Sequence, residues 1–316
     1  MPIRSLTPSS ALQTFAYTDL DRFRQAFTAV DVQFTPMCRT ASAEQAILSL
    51  PGCNVYLLKT FPRLLDAVLA EGCTFVGLTM ADDFAYRFNG LEKDRPAMSL
   101  GYGGAGYKVL EAEGCFSTAV IFNPEVRGRG WPSKDRVFLA CMITAAAEQR
   151  IRDVILAAFQ FASDAPTHAA SAGAMLGVKE TILAAIDSAL ADPQPLELAK
   201  MGTARRYFDI VQKIEDAIDD NFGGPIYSET LADEIGVSVR TMHNAMQQFR
   251  GMSLHRYLRM KRLWSVRRQL LGGAQKVSAT ALANGFWHLG EFAALYAGHF
   301  GETPSQTLAR SRYGLA

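Results

Sequence analysis

Between residues 54 and 122 apolar residues cluster in short runs. VYLLKT, CTFVGLTM, FAYRFNG, YKVLEA and FSTAVIF are rich in aromatic and branched residues, and Gly, Asp or Pro bound them. This spacing predicts antiparallel strands in a sandwich or small barrel. From about residue 136 the period lengthens. Residues 136–163 and 168–190 carry apolar positions at helical spacing without strand punctuation, which predicts two helices. DPQP at 192–195, followed by LELAKMGTA, predicts a linker. From about residue 203 to the end the pattern is helical again. The predicted fold class is α+β: a β-domain with flanking helices, then an all-α domain.

One pattern occurs twice in the last region. In SETLADEIGVSVRTMHNAMQQF (228–249), Ser228 is placed to cap a helix whose apolar positions are Leu231, Ala232 and Ile235. Gly236 permits a left-handed corner, and Ser238 can cap the next helix. On that helix Met242, Ala245, Met246 and Phe249 form one stripe, while Arg240, His243, Asn244 and Gln247 form the other face. A supporting helix, a corner and a polar-faced helix make a helix-turn-helix pattern, in which Arg suits guanine and Asn or Gln suits adenine. In VSATALANGFWHLGEFAALYAGHF (277–300), Gly285 takes the corner and Phe286, Phe292, Tyr296 and Phe300 make the stripe. SLHRYLRMKRLWSVRRQLL (253–271) between them is long enough for one helix of about 28 Å, commensurate with the ~34 Å turn of DNA.

Charge supports that reading. The chain of 316 residues has a net charge of only +1, 49% hydrophobic residues and 20% charged ones. Residues 236–290 nevertheless hold nine basic residues and no acidic one: Arg240, Arg250, Arg256, Arg259, Lys261, Arg262, Arg267, Arg268 and Lys276. Such a one-sign stretch reads as a polyanion surface or as a solvated helix face. The apolar region 137–162 is interrupted by Glu148, Arg150, Arg152 and Asp153, so it is no membrane span, and no basic-then-apolar leader is visible. Five cysteines without CxxC spacing suggest free thiols and a cytoplasmic protein.

Over about a hundred residues the helical region resembles the DNA-binding domain of the AraC/XylS family of bacterial transcription regulators. The resemblance rests on Leu231-Ala232, Gly236, Ser238, Arg240, Gly251, Ser253, Tyr257, Arg262-Leu263, Leu270, Gly285-Phe286, Phe292, Tyr296, Phe300-Gly301 and Pro304. The ending GFWHLGEFAALYAGHFGETPSQTL is similar to the ethanolamine-utilisation regulator branch. Met242 and Met246 stand where the family usually has leucine and phenylalanine, swaps that keep volume. Leu254 and Gly290 stand where it often has proline and serine.

The resemblance implies a cupin-like effector-binding domain over 1–135, a helical dimerisation and linker region over 136–200, and the DNA-binding domain over 203–316. It also implies a homodimer, an activator more often than a repressor, duplex DNA and a small-molecule effector as partners, and contact with RNA polymerase. The residues placed for DNA are Arg240, Thr241, His243, Asn244, Gln247, Arg256, Arg259, Arg262, Trp287, His288, Leu289 and Glu291. The second reading helix has little to hydrogen-bond with. An unequal pair is therefore expected, in which the first helix reads bases and the second docks on the backbone, with Leu289 or Ala293 against a thymine methyl. Trp287 reads equally as core or as a sugar–phosphate contact, and Arg262 as a phosphate contact or an internal pair.

The β-region offers no catalytic chemistry. GYGGAG (101–106) fits a dinucleotide loop, but the strand pattern YKVLEAEG follows it where that loop needs a helix, so a hairpin turn is expected. Residues 1–167 contain no histidine, and there is no G-x-S-x-G. Asp82-Asp83 reads as a turn more readily than as a cation site. No enzyme, metal or cofactor is expected, and no membrane association. Arg63, Phe75, Tyr86, Arg87, Phe88 and Tyr102 are candidates to line an effector pocket, the arginines suiting a carboxylate. Core packing is the competing reading of those aromatics. A rival function is a ligand-binding or enzymatic β-domain with a helical protein-interaction tail.

Overall fold

A computed structural model describes residues 3–81, 86–92, 95–126, 128–133, 138–164, 171–191, 194–195 and 198–312. The expected Asp82-Asp83 turn lies outside them. The chain divides into one unit of Met1–Phe34 with Ala41–Gly202 and another of Thr35–Thr40 with Thr203–Ala316.

The first unit holds strands β1 (Leu12–Tyr17), β2 (Val30–Pro36), β3 (Ala43–Leu50), β4 (Cys53–Lys59), β5 (Arg63–Leu69), β6 (Thr74–Thr79) and β7 (Tyr86–Phe88). It continues with β8 (Leu91–Glu92), β9 (Ala97–Tyr102), β10 (Gly106–Glu111), β11 (Phe116–Phe122), β12 (Leu139–Met142) and β13 (Gln194–Pro195). Its helices are α1 (Leu20–Gln25), α2 (Ala145–Asp164) and α3 (Ala172–Leu190). One antiparallel sheet runs β1-β3-β4-β11-β6-β9-β12-β13, and a second runs β2-β5-β10-β7-β8.

The larger sheet is buried on both faces, which is why its strands read as nearly continuous apolar runs. Val55, Leu57, Val76, Val120 and Phe122 pack with Ile155 and Phe159 of α2 and Ile182 and Ile186 of α3. The alternate residues Tyr56, Leu58, Phe75, Gly77, Ala119 and Ile121 line a cavity shared with β2, β5, β7 and β10 of the smaller sheet. Period-two alternation therefore sends one set of side chains to the helices and the other to the space between the sheets. The small residues Ala158, Ala162, Ala185 and Ala189 belong to the core between helices and sheet.

Three expectations change. The helix expected from 136 begins at Ala145, because Leu139–Met142 pairs with β9 instead (Leu139 opposite Leu100, Met142 opposite Ala97). The Phe138 ring occupies the space a side chain at Gly101 would need, with a Cβ there only 2.3 Å from the ring. GYGGAG is not a hairpin turn but a corner that carries the chain from the larger sheet (β9) to the smaller one (β10). Its Gly103 fits because a Cβ would meet the Gly72 nitrogen at 2.8 Å. The expected linker ends sooner, since helix α4 (Leu198–Asp220) starts within LELAKMGTA.

The second unit continues with α5 (Ser228–Ile235), α6 (Val239–Arg250), α7 (Leu254–Leu271), α8 (Val277–Ala283), α9 (Leu289–Phe300) and α10 (Pro304–Arg312). Leu263, Val266 and Leu270 of α7 pack with Ala281, Phe292, Tyr296 and Phe300. No helix among the described residues is long and apolar enough to cross a membrane.

Candidate nucleic-acid interface

Each helix-turn-helix unit is built around a residue with positive φ. Gly236 caps α5 in the left-handed region (φ 79°) and returns its N–H to Ala232 and Asp233 carbonyls. Ser238 then caps α6, its Oγ accepting from the Thr241 N–H at 3.1 Å. Ser228 does not cap α5 as the pattern suggested. Tyr227 holds the cap position, and Ser228 is a buried first-turn residue whose Oγ lies 3.3 Å from His255 Nε2.

Helix α6 has two chemically distinct faces. Met242, Ala245 and Met246 are fully buried, and Phe249 nearly so. Arg240, His243, Asn244 and Gln247 are exposed on the opposite side. Thr241 is half-buried and shares a hydroxyl contact of 2.9 Å with Ser238, so part of its hydrogen-bonding capacity is used in the cap.

The nine basic residues of 236–290 separate into two groups. Arg250 is completely buried and paired with Glu215, which also accepts from Tyr257 Oη at 2.6 Å. Lys261 pairs with Asp219 at 3.2 Å, and Arg267 with Glu302 at 2.7 Å. Arg262 donates Nε to the Phe222 carbonyl at 2.9 Å and Nη2 to the Gly224 carbonyl, and burial pushes its pKa down. Its guanidinium is committed inside the domain, which selects the internal-pair reading over the phosphate contact. Arg240, Arg256, Arg259, Arg268 and Lys276 are exposed and form no ion pair among the described residues. Lys276, at the cap position of α8, was not singled out from the sequence as a contact.

The second unit repeats the corner with different chemistry. Gly285 (φ 78°) follows the α8 cap Asn284, and a Cβ there would lie 2.8 Å from the Arg262 guanidinium and 2.9 Å from the Gly223 carbonyl. Phe292, Tyr296 and Phe300 are buried, with Tyr296 Oη donating to Thr307 at 2.9 Å. Trp287 is 65% exposed, which excludes the core reading. His288 holds the α9 cap position without a side-chain cap hydrogen bond. Leu289, Gly290, Glu291 and Ala294 are exposed, and Ala293 is half-buried. The outward surface of α9 is thus short of donors, as its sequence implied.

In the first unit, a cavity of about 100 Å³ lies between the two sheets. Arg63, Phe75, Tyr86 and Phe88 line it, with Phe34, Tyr107 and Glu111, which sequence reasoning missed. Arg87 and Tyr102 do not line it. Arg87 alternates to the opposite face of β7 from Tyr86 and Phe88 and pairs there with Glu92, and Tyr102 packs against the core on the helix side. Arg63 pairs with Glu111, its cross-strand partner, through Nε at 2.8 Å and Nη2 at 3.2 Å. The guanidinium also lies 4.8 Å from the Phe34 ring centre. Burial pushes the phenols of Tyr86 and Tyr107 upward.

Residues 231–310 match the family described as a helix-turn-helix domain. The XylDLEGF operon transcriptional activator of Pseudomonas putida is 32% identical over 108 residues, covering 33% of this chain and 34% of that protein. The HTH-type transcriptional activator RhaS of Escherichia fergusonii is 30% identical over 89 residues, 28% of this chain and 32% of that protein. This chain therefore spans about a third of the length of the curated relatives it matches. A solved structure described as a probable AraC family transcriptional regulator from Rhodopseudomonas palustris is 38% identical, with a TM-score of 0.31, and covers 33% of this chain and 97% of its own.

Proposed function

Because this chain belongs through its C-terminal unit to the AraC/XylS family of transcription regulators, we propose that it binds duplex DNA at specific sequences and activates transcription in response to a small molecule. The observation that carries this reading is the two-sidedness of α6. An apolar stripe is fully engaged with the domain, while Arg240, His243, Asn244 and Gln247 face outward from behind a capped N-terminus. That face suits direct reading of base edges in a major groove. Helix α9 offers Leu289 and exposed small residues, which suit apolar contact and backbone docking, with Trp287 and His288 toward sugar and phosphate. The chain acts as a homodimer, and the effector occupies the cavity between the two sheets. It shifts DNA engagement only as far as it binds two states with different affinity. Activation through contact with RNA polymerase completes the reading.

The test is footprinting of the purified full-length protein at near-physiological salt, on fragments chosen by genomic mapping of its binding sites. Protection of discrete sites, with base discrimination under α6 stronger than under α9, is the expected result. Absence of any discrete protected site, with and without candidate inducers, overturns the regulator reading. Stronger discrimination under α9 overturns the unequal roles of the helices.

A further inference from the structure

The cavity between the sheets carries an inference about what it takes, and this rests on the reading that the effector sits there. Its charged feature is the buried pair Arg63–Glu111; its other polar lining, such as Thr79, Ser99, Ser117 and Thr118, is uncharged. Arg63 is 3% exposed and lies among the rings of Phe23, Phe34 and Phe61. Two of its nitrogens, Nε and Nη2, are committed to Glu111. Thr60 Oγ1 donates to the same carboxylate at 2.7 Å. The third nitrogen, Nη1, is buried with no hydrogen-bond partner among the described residues. A buried donor without an acceptor is rare in a folded protein and marks a place where a partner is expected. Arg63 lines the cavity, so a molecule in it can supply that acceptor.

The charge of the ligand follows from the charge already present. Arg63 and Glu111 neutralise each other with side chains 4% and 6% exposed. A carboxylate added beside them would give the site a net negative charge in a water-poor setting, where an uncompensated anion is strongly disfavoured. Burial acts in the same direction on the neighbouring phenols Tyr86 and Tyr107, which are held in their neutral forms. A hydroxyl, amide or ketone oxygen can accept from Nη1 without that cost. The remaining wall is mostly carbon: Val30, Leu65, Phe75, Phe88, Val109 and Ile121. About 100 Å³ compares with ~150 Å³ for an engineered apolar cavity that holds benzene, so the space is of single-ring size.

We propose that this cavity binds an uncharged molecule, one ring in size and bearing a hydrogen-bond acceptor, whose acceptor atom completes Arg63 Nη1. The carboxylate-bearing effector suggested by two arginines near aromatic strands is disfavoured, because both arginines already hold carboxylates, Glu111 and Glu92.

The test uses three probes of similar shape against the full-length protein: benzamide, benzoate and toluene, measured by titration calorimetry at neutral pH. Benzamide is expected to bind at least tenfold more tightly than benzoate and than toluene. In Ala119→Leu, which adds bulk to the cavity from the larger sheet whereas Arg63 stands on the smaller one, benzamide binding is expected to be lost. Far-ultraviolet dichroism of this variant verifies that it is folded. In the paired substitution Arg63→Met with Glu111→Met, which removes both charges and the donor, benzamide is expected to fall to the level of toluene. Benzoate binding as tightly as benzamide, with the binding lost in Ala119→Leu, overturns the uncharged-ligand inference and leaves the cavity as the effector site. Failure of all three probes to bind at millimolar concentration, or binding unchanged by Ala119→Leu, overturns the cavity assignment itself.

Discussion

At the level of single residues, the basic side chains of the helical domain divide by what they touch. Arg240 is exposed and makes no ion pair among the described residues, whereas Arg262 is bonded to two backbone carbonyls. Arg240→Ala is expected to cost about 1–3 kcal/mol of DNA affinity, relax preference at one base position and leave unfolding unchanged. Arg262→Ala is expected to remove the donor from those part-buried carbonyls and lower stability by about 1–3 kcal/mol. Urea unfolding together with operator titration separates the two; an Arg262 variant of full stability but weakened binding would return that residue to the DNA surface. A second residue-scale case lies in the β-unit. Asp187 accepts from Arg129 Nε at 2.9 Å and Trp131 Nε1 at 2.7 Å, and the hydrogen-bonded guanidinium holds its carboxyl below the ordinary range. A folded-state pKa below the unfolded one gives stability that is present above the ordinary carboxylate pKa of ~4 and fades as pH falls through the folded value. Asp187→Asn is expected to be less stable than the parent at neutral pH, and the two unfolding curves should converge in acid. Parallel curves across that range would show that Asp187 is not the group responsible.

At the level of elements, the doubled corner was legible in the sequence, but the inequality of its two glycines was not. Gly236 and Gly285 both take positive φ and stand at equivalent places in the two units. Nothing lies within 4 Å of a Cβ built on Gly236, while one on Gly285 meets the Gly223 carbonyl and the Arg262 guanidinium below 3.0 Å. Gly236→Ala is therefore expected to cost about 1–2 kcal/mol from the left-handed backbone alone. Gly285→Ala should cost clearly more, since it adds a backbone clash and disturbs the Arg262 hydrogen bonds. Equal losses of midpoint in thermal unfolding would refute the packing difference. Apart from the Ser228 cap, which the structure shifts to Tyr227, legibility followed locality. The stripe of α6 and the cap by Ser238 depend on residues three or four positions apart, and the sequence displays them. The strand Leu139–Met142 was read as helix because its pairing partner, β9, lies some forty positions away and only tertiary structure supplies it. Arg87 and Tyr102 were assigned to the pocket on residue type. Which face a strand residue takes depends on a register that composition does not encode, as the Arg63–Glu111 pair also illustrates.

At the level of the whole molecule, the one-sign charge of residues 236–290 was legible, but the number of charges available to a polyanion was not. Nine basic residues and no acidic one between 236 and 290 suggested a broad basic surface. Arg250, Lys261, Arg262 and Arg267 take partners that lie mostly outside that window, at Glu215, Asp219, Phe222, Gly224 and Glu302. Five remain: Arg240, Arg256, Arg259, Arg268 and Lys276. Salt dependence measures this difference, because each neutralised phosphate releases counterion and contributes a slope of about −0.9 to log affinity against log salt. With all five engaged, the expected slope per bound copy is about −4 to −5; had all nine faced the duplex it would approach −8. Arg256→Ala should make the slope shallower by about one and weaken binding evenly across sequences, since a phosphate contact carries no base information. The measurement is a series of operator titrations between low and moderate salt, with the number of bound copies fixed independently. A slope near −8 per copy would mean that the internal ion pairs open on binding and that the division of charges described above does not survive contact with DNA.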